Sequence, residues 1–437
     1  MSGRRFALLA TCGAALIILT LLGLYRQRLD DIDGFVAVAV AQGAVYFTAI
    51  WLARPAASSG RGLALIVAVA AVMRLAALVA PPYLSTDIYR YIWDGRIAGA
   101  GINPYRYVPN DPHLADFRDA EVFYHINRGN YAPTIYPPVA QAVFYTVGRL
   151  SESVIAVKAA MVVFEGIAMF ALLRLLARAG LPTTRLLIYA WHPLPVWEFA
   201  GSGHIDAVLV AFVALSLWSR RGGANVLTGL LLAVATLVKF YPAVLAPALY
   251  RRWDRIMPAV FVAALVLAYL PFLDVGWRVF GFLPGYATEE GFAGGAGFYL
   301  LGLIRLAIPT FPASLYVAFA AALLAAFGLA ILFAKDWPDR EIAGAAALAT
   351  AFMLLLSPHY PWYFAWLIPL ACLLPCRSLL WLTVASLLLY LVPVGSNLVR
   401  DGHRLLVETA IYAPFAVLAL LDWRSRRQVR HDTPTSD

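Results

Sequence analysis

Charge is scarce in this sequence. Of 437 residues, 14% are charged and 62% are hydrophobic, and the mean hydropathy is +0.74. This composition excludes a water-soluble domain, which would aggregate. Apolar runs of about 15 to 25 residues recur from end to end, the length that an α-helix needs to cross roughly 30 Å of hydrocarbon. The sequence therefore predicts an all-α protein built as a polytopic bundle of membrane helices.

Cysteine and lysine are also rare. Three cysteines, all in or beside apolar runs, exclude a disulfide framework, and no cluster of ligand residues predicts a metal site. We therefore expect neither a metal nor another cofactor. Arginine supplies all but three of the 34 basic residues. The net charge of +9 fits the positive-inside bias of membrane proteins, so no nucleic-acid partner is needed to explain it.

The basic clusters alternate along the chain in a way that predicts its topology. With the N-terminus inside, we expect crossings at 6–25, 35–53, 62–81, 153–177, 186–201, 205–219, 224–240, 241–250, 257–273, 313–334, 341–357, 362–376, 378–393 and 405–422. Because 241–250 is short, the prediction is about 12–14 spans. Residues 138–149 fit a re-entrant or interfacial helix. Both termini of this plasma-membrane protein are then cytoplasmic, with one transmembrane domain over 1–423 and a disordered basic tail over 424–437.

One segment on the predicted outer side is rich in polar residues. This outer loop, residues 82–137, holds five arginines, eight of the 22 tyrosines and six of the 25 acidic residues. The six acids are Asp87, Asp94, Asp111, Asp116, Asp119 and Glu121. A long loop in a compact protein is usually functional or disordered, and the aromatic content here argues against disorder. We therefore predict that the outer loop carries the chemistry, with the last four acids forming a solvated surface.

The head of the outer loop suggests a catalytic carboxylate. A helix that begins near Thr86 places Asp87, Arg90 and Asp94 on one face, at i, i+3 and i+7. The two carboxylates are then about 10.5 Å apart, too far to bind one metal ion directly. A base with one supporting carboxylate fits this spacing. The alternative is that Arg90 bridges both carboxylates in a structural ion pair.

Four further ionisable residues are expected on the same side, namely His204, Asp206, Lys239 and His359. Asp206 fits a helix cap or a ligand contact. Lys239 ends an apolar run, so it either snorkels to the interface or binds a lipid phosphate. Each histidine fits phosphate binding or proton relay, and His359 fits an ordinary loop position equally well.

The order of five short motifs resembles that of the glycosyltransferase C superfamily. They are Asp87-Ile88-Tyr89-Arg90-Tyr91, Gly101-Ile102-Asn103-Pro104-Tyr105, Tyr136-Pro137-Pro138, Lys239-Phe240-Tyr241-Pro242 and Ser357-Pro358-His359. Within that superfamily, the sequence is most similar to polyprenyl-phosphate-mannose-dependent mannosyltransferases, which include actinobacterial phosphatidylinositol-mannoside enzymes. The motifs extend over residues 85 to 370.

The resemblance implies an inverting membrane glycosyltransferase. It would move a sugar, expected to be mannose, from a polyprenyl phosphate to a glycolipid or polysaccharide acceptor on the outer face. Asp87 matches the family's catalytic base, with Asp94 in support. Substrate binding is expected from Arg90, Asp94, Tyr136, His204, Asp206, Lys239 and His359.

Two alternatives remain open from the sequence. A polytopic lipid or solute transporter is favoured by Glu165, an acidic residue deep in a predicted crossing. The sequence shows no convincing repeat, although many transporters are built from inverted ones. The other alternative is a different lipid-linked sugar enzyme, such as an O-antigen ligase or polymerase.

Overall fold

The computed structural model describes residues 3–53, 60–289, 291–292, 294–334, 339–392 and 400–431. Within these ranges the regular structure is entirely helical, which confirms the all-α prediction. The longer α-helices are α1 Gly3–Arg28, α2 Ile32–Ala53, α3 Gly60–Val79, α4 Asp87–Gly99, α5 Pro138–Leu150, α6 Val154–Arg178, α7 Asp206–Arg221, α8 Asn225–Thr236, α9 Ile256–Tyr269, α10 Leu283–Glu289, α11 Tyr299–Ala307, α12 Ala313–Phe333, α13 Arg340–Leu356, α14 Arg377–Ala385 and α15 Arg400–His431.

Within the described ranges, seven helical stretches are long and apolar enough to cross a membrane. They are Gly3–Arg28, Ile32–Ala53, Gly60–Val79, Val154–Arg178, Ile256–Glu289, Ala313–Phe333 and Gly402–Ser425. Each of them overlaps a crossing expected from the sequence. The chain is therefore a multi-pass membrane protein.

The other seven expected crossings are shorter or broken. Helices α7, α8 and α13 have 16, 12 and 17 residues. The remaining four ranges are divided into short pieces, namely Thr183–Leu186, Leu187–Ala190, Pro193–Pro195, Val196–Gly201, Tyr241–Leu245, Ala246–Leu249, Pro361–Leu367, Ile368–Leu373, Arg377–Ala385 and Ser386–Leu391. Proline accounts for three of the four breaks, because it lacks an N–H and clashes with the preceding turn. A prediction based on the length of an apolar run does not detect such breaks, because the run stays apolar across them.

The range 138–149 and the start of the C-terminal tail are both helical. The range 138–149 forms helix α5. Helix α15 runs to His431 and so enters the tail that the sequence predicts as disordered, while residues 432–437 lie outside the described ranges. The basic positions within 54–59 and 335–338 also lie outside them.

A buried ion pair ties helices α3 and α6 to the broken segment that follows α6. Arg74 donates two hydrogen bonds to Oε1 of Glu165, at 3.0 and 2.6 Å, and a third to the carbonyl of Ala190, at 2.8 Å. Such a pair is costly to break, since either partner alone would be an uncompensated buried charge. Glu165, the acid that favours a transporter in the sequence, is thus occupied by a structural contact.

Helices α4 and α5 pack closely as a pair at the two ends of the outer loop. A Cβ on Gly95 would lie 2.4 Å from the Phe144 carbonyl oxygen, so only glycine allows this approach. Gly148 faces Gly95 from α5. The rings of Tyr91 and Phe144 stack at 4.5 Å nearby. This contact fixes the position of α4, whose first residue is Asp87.

The rest of the outer loop is ordered by local hydrogen bonds around short 3-10 turns, Pro112–Phe117 and Phe123–His125. Asp111 caps the first turn, and the backbone N–H of His113, followed by its imidazole, lowers the pKa of the Asp111 carboxyl. Asp119 binds Arg96 at 2.6 Å. Asp116 and Glu121 are exposed, as expected of a solvated surface, and Asp119 pairs with Arg96 while 38% of its side chain stays exposed.

Candidate active site

A cavity of about 1240 Å³ lies between α4, the end of the outer loop and several later segments. Its wall includes five of the residues predicted for the site, namely Asp87, Arg90, Tyr136, Lys239 and His359. Much of the rest of the wall is aromatic or aliphatic and comes from Phe282, Leu283, Tyr286 and residues 360–363 and 389–392. Pockets that bind small molecules are mostly apolar with a few polar groups, as here.

Asp87 is the first residue of α4 and faces this cavity with 21% of its side chain exposed. Oδ1 accepts a hydrogen bond from Nδ2 of Asn127 at 2.7 Å, and the hydroxyl of Tyr136 donates to Oδ2 at 3.4 Å. None of the described lysines or arginines forms an ion pair with it. The carboxylate is thus oriented by neutral donors and keeps acceptor capacity toward the cavity.

Tyr136 is suited to remain a donor to Asp87. Burial, and next the Asp87 carboxylate itself, raise the pKa of the Tyr136 hydroxyl well above its ordinary value. A phenol of this kind keeps its proton at neutral pH. The ring is held edge-on against Tyr91 at 5.0 Å and against Phe144 at 5.4 Å.

Asp94 lies on the same face of α4 but is buried. Arg90 donates from Nε to Oδ1 of Asp94 at 2.8 Å, while Thr134 and Gln141 donate to Oδ2 at 2.5 and 3.1 Å. Arg90 also binds the Ala132 carbonyl at 3.0 Å. Arg90 therefore pairs with Asp94 and with the end of the outer loop, and no contact in the described structure has it bridging both carboxylates.

Lys239 follows α8 and lines the cavity, and its ammonium group is paired with Asp206, which is not part of the wall. Its Nζ lies 2.6 Å from Oδ2 of Asp206 and 4.6 Å from the centre of the Tyr363 ring. The hydroxyl of Tyr241 donates to Oδ1 of Asp206 at 3.0 Å. Asp206, the first residue of α7, thus orients a lysine and does not itself line the cavity.

The two predicted histidines have different surroundings. His359 lines the cavity, and its Nε2 lies 3.3 Å from the Gly297 carbonyl oxygen. His204 is fully buried behind Asp87, with its ring stacked on Trp362 at 3.9 Å. Its Nδ1 lies 4.0 Å from Oδ2 of Asp87.

Sequence reasoning missed several residues of this site. Asn127 belongs to the outer loop, but nothing in its spacing connects it with Asp87, which lies 40 positions earlier. Nothing in the sequence pattern indicates that Thr134 and Gln141 donate hydrogen bonds to Asp94. Glu198 lies near His204, inside the range 186–201 that the sequence predicts as one apolar crossing. An acidic residue near the predicted outer end of that crossing could have marked Glu198 as a candidate.

In the part of the chain that the structure describes, no group of three or more His, Cys, Asp or Glu residues could hold a metal ion. The cationic and anionic side chains of the site instead pair with each other, as Arg90 does with Asp94 and Lys239 with Asp206. The cavity wall thus includes the carboxylates of Asp33 and Asp87, the ammonium group of Lys239 and the imidazole of His359.

Comparison with known families places these residues in context. A family model described as "Alpha-(1->6)-mannopyranosyltransferase, N-terminal domain" matches residues 10–255, which is more than half of the chain. The matched range contains Asp87, the outer loop, Asp206 and Lys239, and ends before His359. No curated protein and no solved structure matches the chain. The chain therefore belongs to the MptA/B family of alpha-(1->6)-mannopyranosyltransferases, which are hexosyltransferases acting on a mannose donor and an acceptor.

Proposed function

We propose that this protein transfers mannose from a polyprenyl phosphate to a saccharide hydroxyl at the outer face of the plasma membrane, with inversion and with Asp87 as general base. The observation that carries the proposal is the setting of Asp87. It is a carboxylate at the cavity wall, oriented by Asn127 and Tyr136, with no lysine or arginine partner in the described structure. A general base needs this combination of orientation and free acceptor capacity.

One base is enough for this reaction. Phosphate is a good leaving group, so the protonating acid used by glycoside hydrolases is not needed. Asp87 takes the proton from the acceptor hydroxyl as its oxygen attacks the anomeric carbon, and the C–O bond to phosphate breaks on the opposite face. A β-linked donor then yields an α-mannoside. This outcome agrees with the α-(1→6) linkage in the family description, for which the attacking group is a primary hydroxyl.

Lys239 is the cation best placed for the departing phosphate. One of its three N–H donors is directed at Asp206, which leaves the others for a ligand in the cavity. His359 also lines the cavity, and its Nε2 lies against the Gly297 carbonyl oxygen. Charge that develops on a leaving phosphate is stabilised most by donors that are already oriented, and Asp206 and Tyr363 hold Lys239 in place.

The size and lining of the cavity fit two substrates. Its volume of about 1240 Å³ exceeds the roughly 300–1000 Å³ typical of a site for one drug-sized ligand. The mannosyl phosphate and the acceptor sugar can therefore be present together. The apolar part of the wall, which includes Phe282, Leu391 and Val392, suits the first units of a polyprenyl chain.

The charge distribution along α7 supports an outward-facing cavity. Asp206, at its N-terminus, contacts the cavity residue Lys239, whereas Arg220 and Arg221 lie at its C-terminus. A helix of 16 residues separates these ends by about 24 Å. Because basic clusters mark the cytoplasmic side, the cavity end of α7 is then on the outer side.

The test uses the purified protein in detergent with radiolabelled polyprenyl-phosphate mannose. The acceptors are an α-mannoside and the same compound with 6-deoxy sugars, which lack the primary hydroxyl. We expect transfer to the first acceptor alone, with a product that α-mannosidase cleaves and that linkage analysis identifies as α-(1→6). Equal labelling of the 6-deoxy acceptor would contradict the linkage, and a β-mannoside would contradict inversion from a β-linked donor. Transfer from a nucleotide sugar in place of the lipid donor would overturn the donor assignment.

A further inference from the structure

Three buried polar atoms lie next to one another behind Asp87. They are Nδ1 of His204, 4.0 Å from Oδ2 of Asp87, then Nε2 of the same ring, and Oε2 of Glu198, 3.5 Å from Nε2. Both side chains are 0% exposed, and within the described residues none of the three atoms has a hydrogen-bond partner. Buried polar atoms without partners are rare and costly, so such a group calls for an explanation.

The surrounding structure holds the two side chains firmly. Glu198 lies in a π-helical turn, Val196–Gly201, and its Oε1 accepts a hydrogen bond from the Tyr390 hydroxyl at 2.7 Å. Gly203 then adopts φ +75°, and a Cβ there would lie 2.6 Å from Cδ1 of Ile88 in α4. This turn brings His204 under the first turn of α4. Single π-helical turns occur frequently at functional sites, because they re-aim side chains.

The burial of Glu198 determines which atoms can donate. Among the described residues no lysine or arginine forms an ion pair with Glu198; the ring of His204 lies against it, and the charges of Asp206 and Lys239 act on it from further away. A fully buried carboxyl without a cation favours its neutral form, which carries a proton that it can donate. If Oε2–H donates to Nε2 of His204, the ring carries its own proton on Nδ1, which faces Asp87.

We propose that Glu198 and His204 are positioning residues for Asp87, in which the Glu198 carboxyl donates to Nε2 of His204 and Nδ1–H of His204 donates to Oδ2 of Asp87. This inference rests on the proposed role of Asp87 as the base. The contacts tighten as the reaction proceeds, since catalytic hydrogen bonds are often longer before the transition state is reached. Oδ2, loosely held by Tyr136 at 3.4 Å, is the oxygen that moves.

Donor geometry gives the proposal a specific signature. Glu198→Gln keeps a donor at the same place, because the amide N–H₂ replaces the carboxyl O–H, whereas Glu198→Leu removes the donor at similar volume. His204→Asn keeps a donor near the position of Nδ1, whereas His204→Phe keeps the stacking on Trp362 and removes both nitrogens. A role limited to packing would reverse this order for His204, since phenylalanine fills the space better.

The experiment compares the four variants in the mannosyl-transfer assay, with kcat and KM measured separately and melting temperature recorded in detergent. We expect kcat to fall at least tenfold in Glu198→Leu and His204→Phe at unchanged KM, and to recover to within about threefold of wild type in Glu198→Gln and His204→Asn. If kcat of Glu198→Gln is as low as that of Glu198→Leu, Glu198 acts as a carboxylate and the proposal fails. The proposal also fails if kcat of His204→Phe equals that of wild type.

Two further variants separate this inference from the proposed function. In the double variant Glu198→Leu/His204→Phe, the loss of kcat should be no greater than in His204→Phe alone, because Glu198 acts through His204. A fully additive loss would overturn the chain of contacts. If Asp87→Asn is inactive while His204→Phe is fully active, the base assignment stands and the positioning role fails. If Asp87→Asn is active, the base assignment itself fails.

Discussion

Asp87 and Asp94 are the same residue type on the same face of one helix, and their surroundings give them different chemistry. Asp94 is 2% exposed and accepts hydrogen bonds from Arg90, Thr134 and Gln141. Asp87 accepts from Asn127 at 2.7 Å and from Tyr136 at 3.4 Å and faces the cavity. The first carboxylate is saturated with donors, and the second keeps acceptor capacity toward the cavity. Spacing along a helix brings two acids to one face, but their partners decide which of them keeps a free acceptor.

The ion pair of Asp94 also helps to position the donor to Asp87. The Arg90–Asp94 pair connects α4 to the end of the outer loop through Ala132 and Thr134, two turns below Asp87. Tyr136, which donates to Asp87, follows directly in that same stretch. The buried pair therefore helps to set the distance between Asp87 and its donor, and removing it should affect folding first.

Replacement of each acid by asparagine separates the roles of Asp87 and Asp94 most directly. Asp87→Asn keeps the volume and removes the basic oxygen, so we expect kcat to fall by about 10²–10⁴-fold, the usual contribution of a general base. Asp94→Asn leaves the Arg90 charge buried without its partner, which typically costs about 3–5 kcal/mol. Its main effect should be a lower melting temperature. Transfer kinetics and thermal unfolding in detergent, measured on both variants, check the two outcomes.

The two variants are each other's control. A large drop in melting temperature for Asp87→Asn, with normal kcat in the folded fraction, would reverse the assigned roles. Asp94→Asn with full stability would show that the buried pair contributes nothing to folding, and the contrast between the two turns of α4 would disappear.

Lys239 also lines the cavity, and it is paired with the buried carboxylate of Asp206. Lys239→Met removes the proposed phosphate cation, and we expect kcat/KM for the lipid donor to fall by about 10²-fold, as when one oriented donor is lost. Met also leaves Asp206 buried without its cation. The double variant Asp206→Asn/Lys239→Met should therefore regain melting temperature without regaining activity. Recovery of activity in the double variant would mean that Lys239 serves only to neutralise Asp206.

The close packing of α4 against α5 holds both acids in place. Gly95→Ala would put a Cβ 2.4 Å from the backbone oxygen of Phe144, which forces α4 and α5 apart. Overpacking of this kind costs typically about 1–3 kcal/mol, and kcat should fall because Asp87 moves with α4. Gly99→Ala is the matched control, since its Cβ would meet just one distant atom, Cδ of Arg149 at 3.8 Å. Equal behaviour of the two variants would contradict the role assigned to the close α4–α5 contact.

Much of α4 could be predicted from the sequence alone. The start of the helix near Thr86 and the common face of Asp87, Arg90 and Asp94 follow from helical periodicity, and the structure has both features. The all-α class and the membrane location follow equally from composition. These are local or statistical properties, which a single sequence contains.

The rest of the site depends on contacts between distant segments. Asn127 reaches Asp87 because the outer loop folds back across 40 residues. Glu198 comes close to His204 because Pro193 and Pro195 interrupt a range that length and hydropathy describe as one crossing, and a π-helical turn follows. The prolines are visible in the sequence, but the direction in which the chain leaves such a break is decided by tertiary packing.

The smallest expected effect comes from a third acid of the outer loop, Asp111, which lies away from both turns of α4. Its pKa is lowered by hydrogen bonds from the backbone and ring of His113, so its contribution to stability is present above its ordinary pKa and is lost as the pH falls through the lowered value. At neutral pH, Asp111→Asn keeps an acceptor for the His113 N–H, so kcat should equal that of wild type, while the melting temperature should be slightly lower because the stabilising carboxylate is missing. Below about pH 4 the wild type should lose slightly more melting temperature than Asp111→Asn, because the variant has no carboxylate there to protonate. A fall in kcat of Asp111→Asn at neutral pH would contradict this expectation. Asp111 would then contribute to catalysis, and Asp87 would not be the only acid of the outer loop that does.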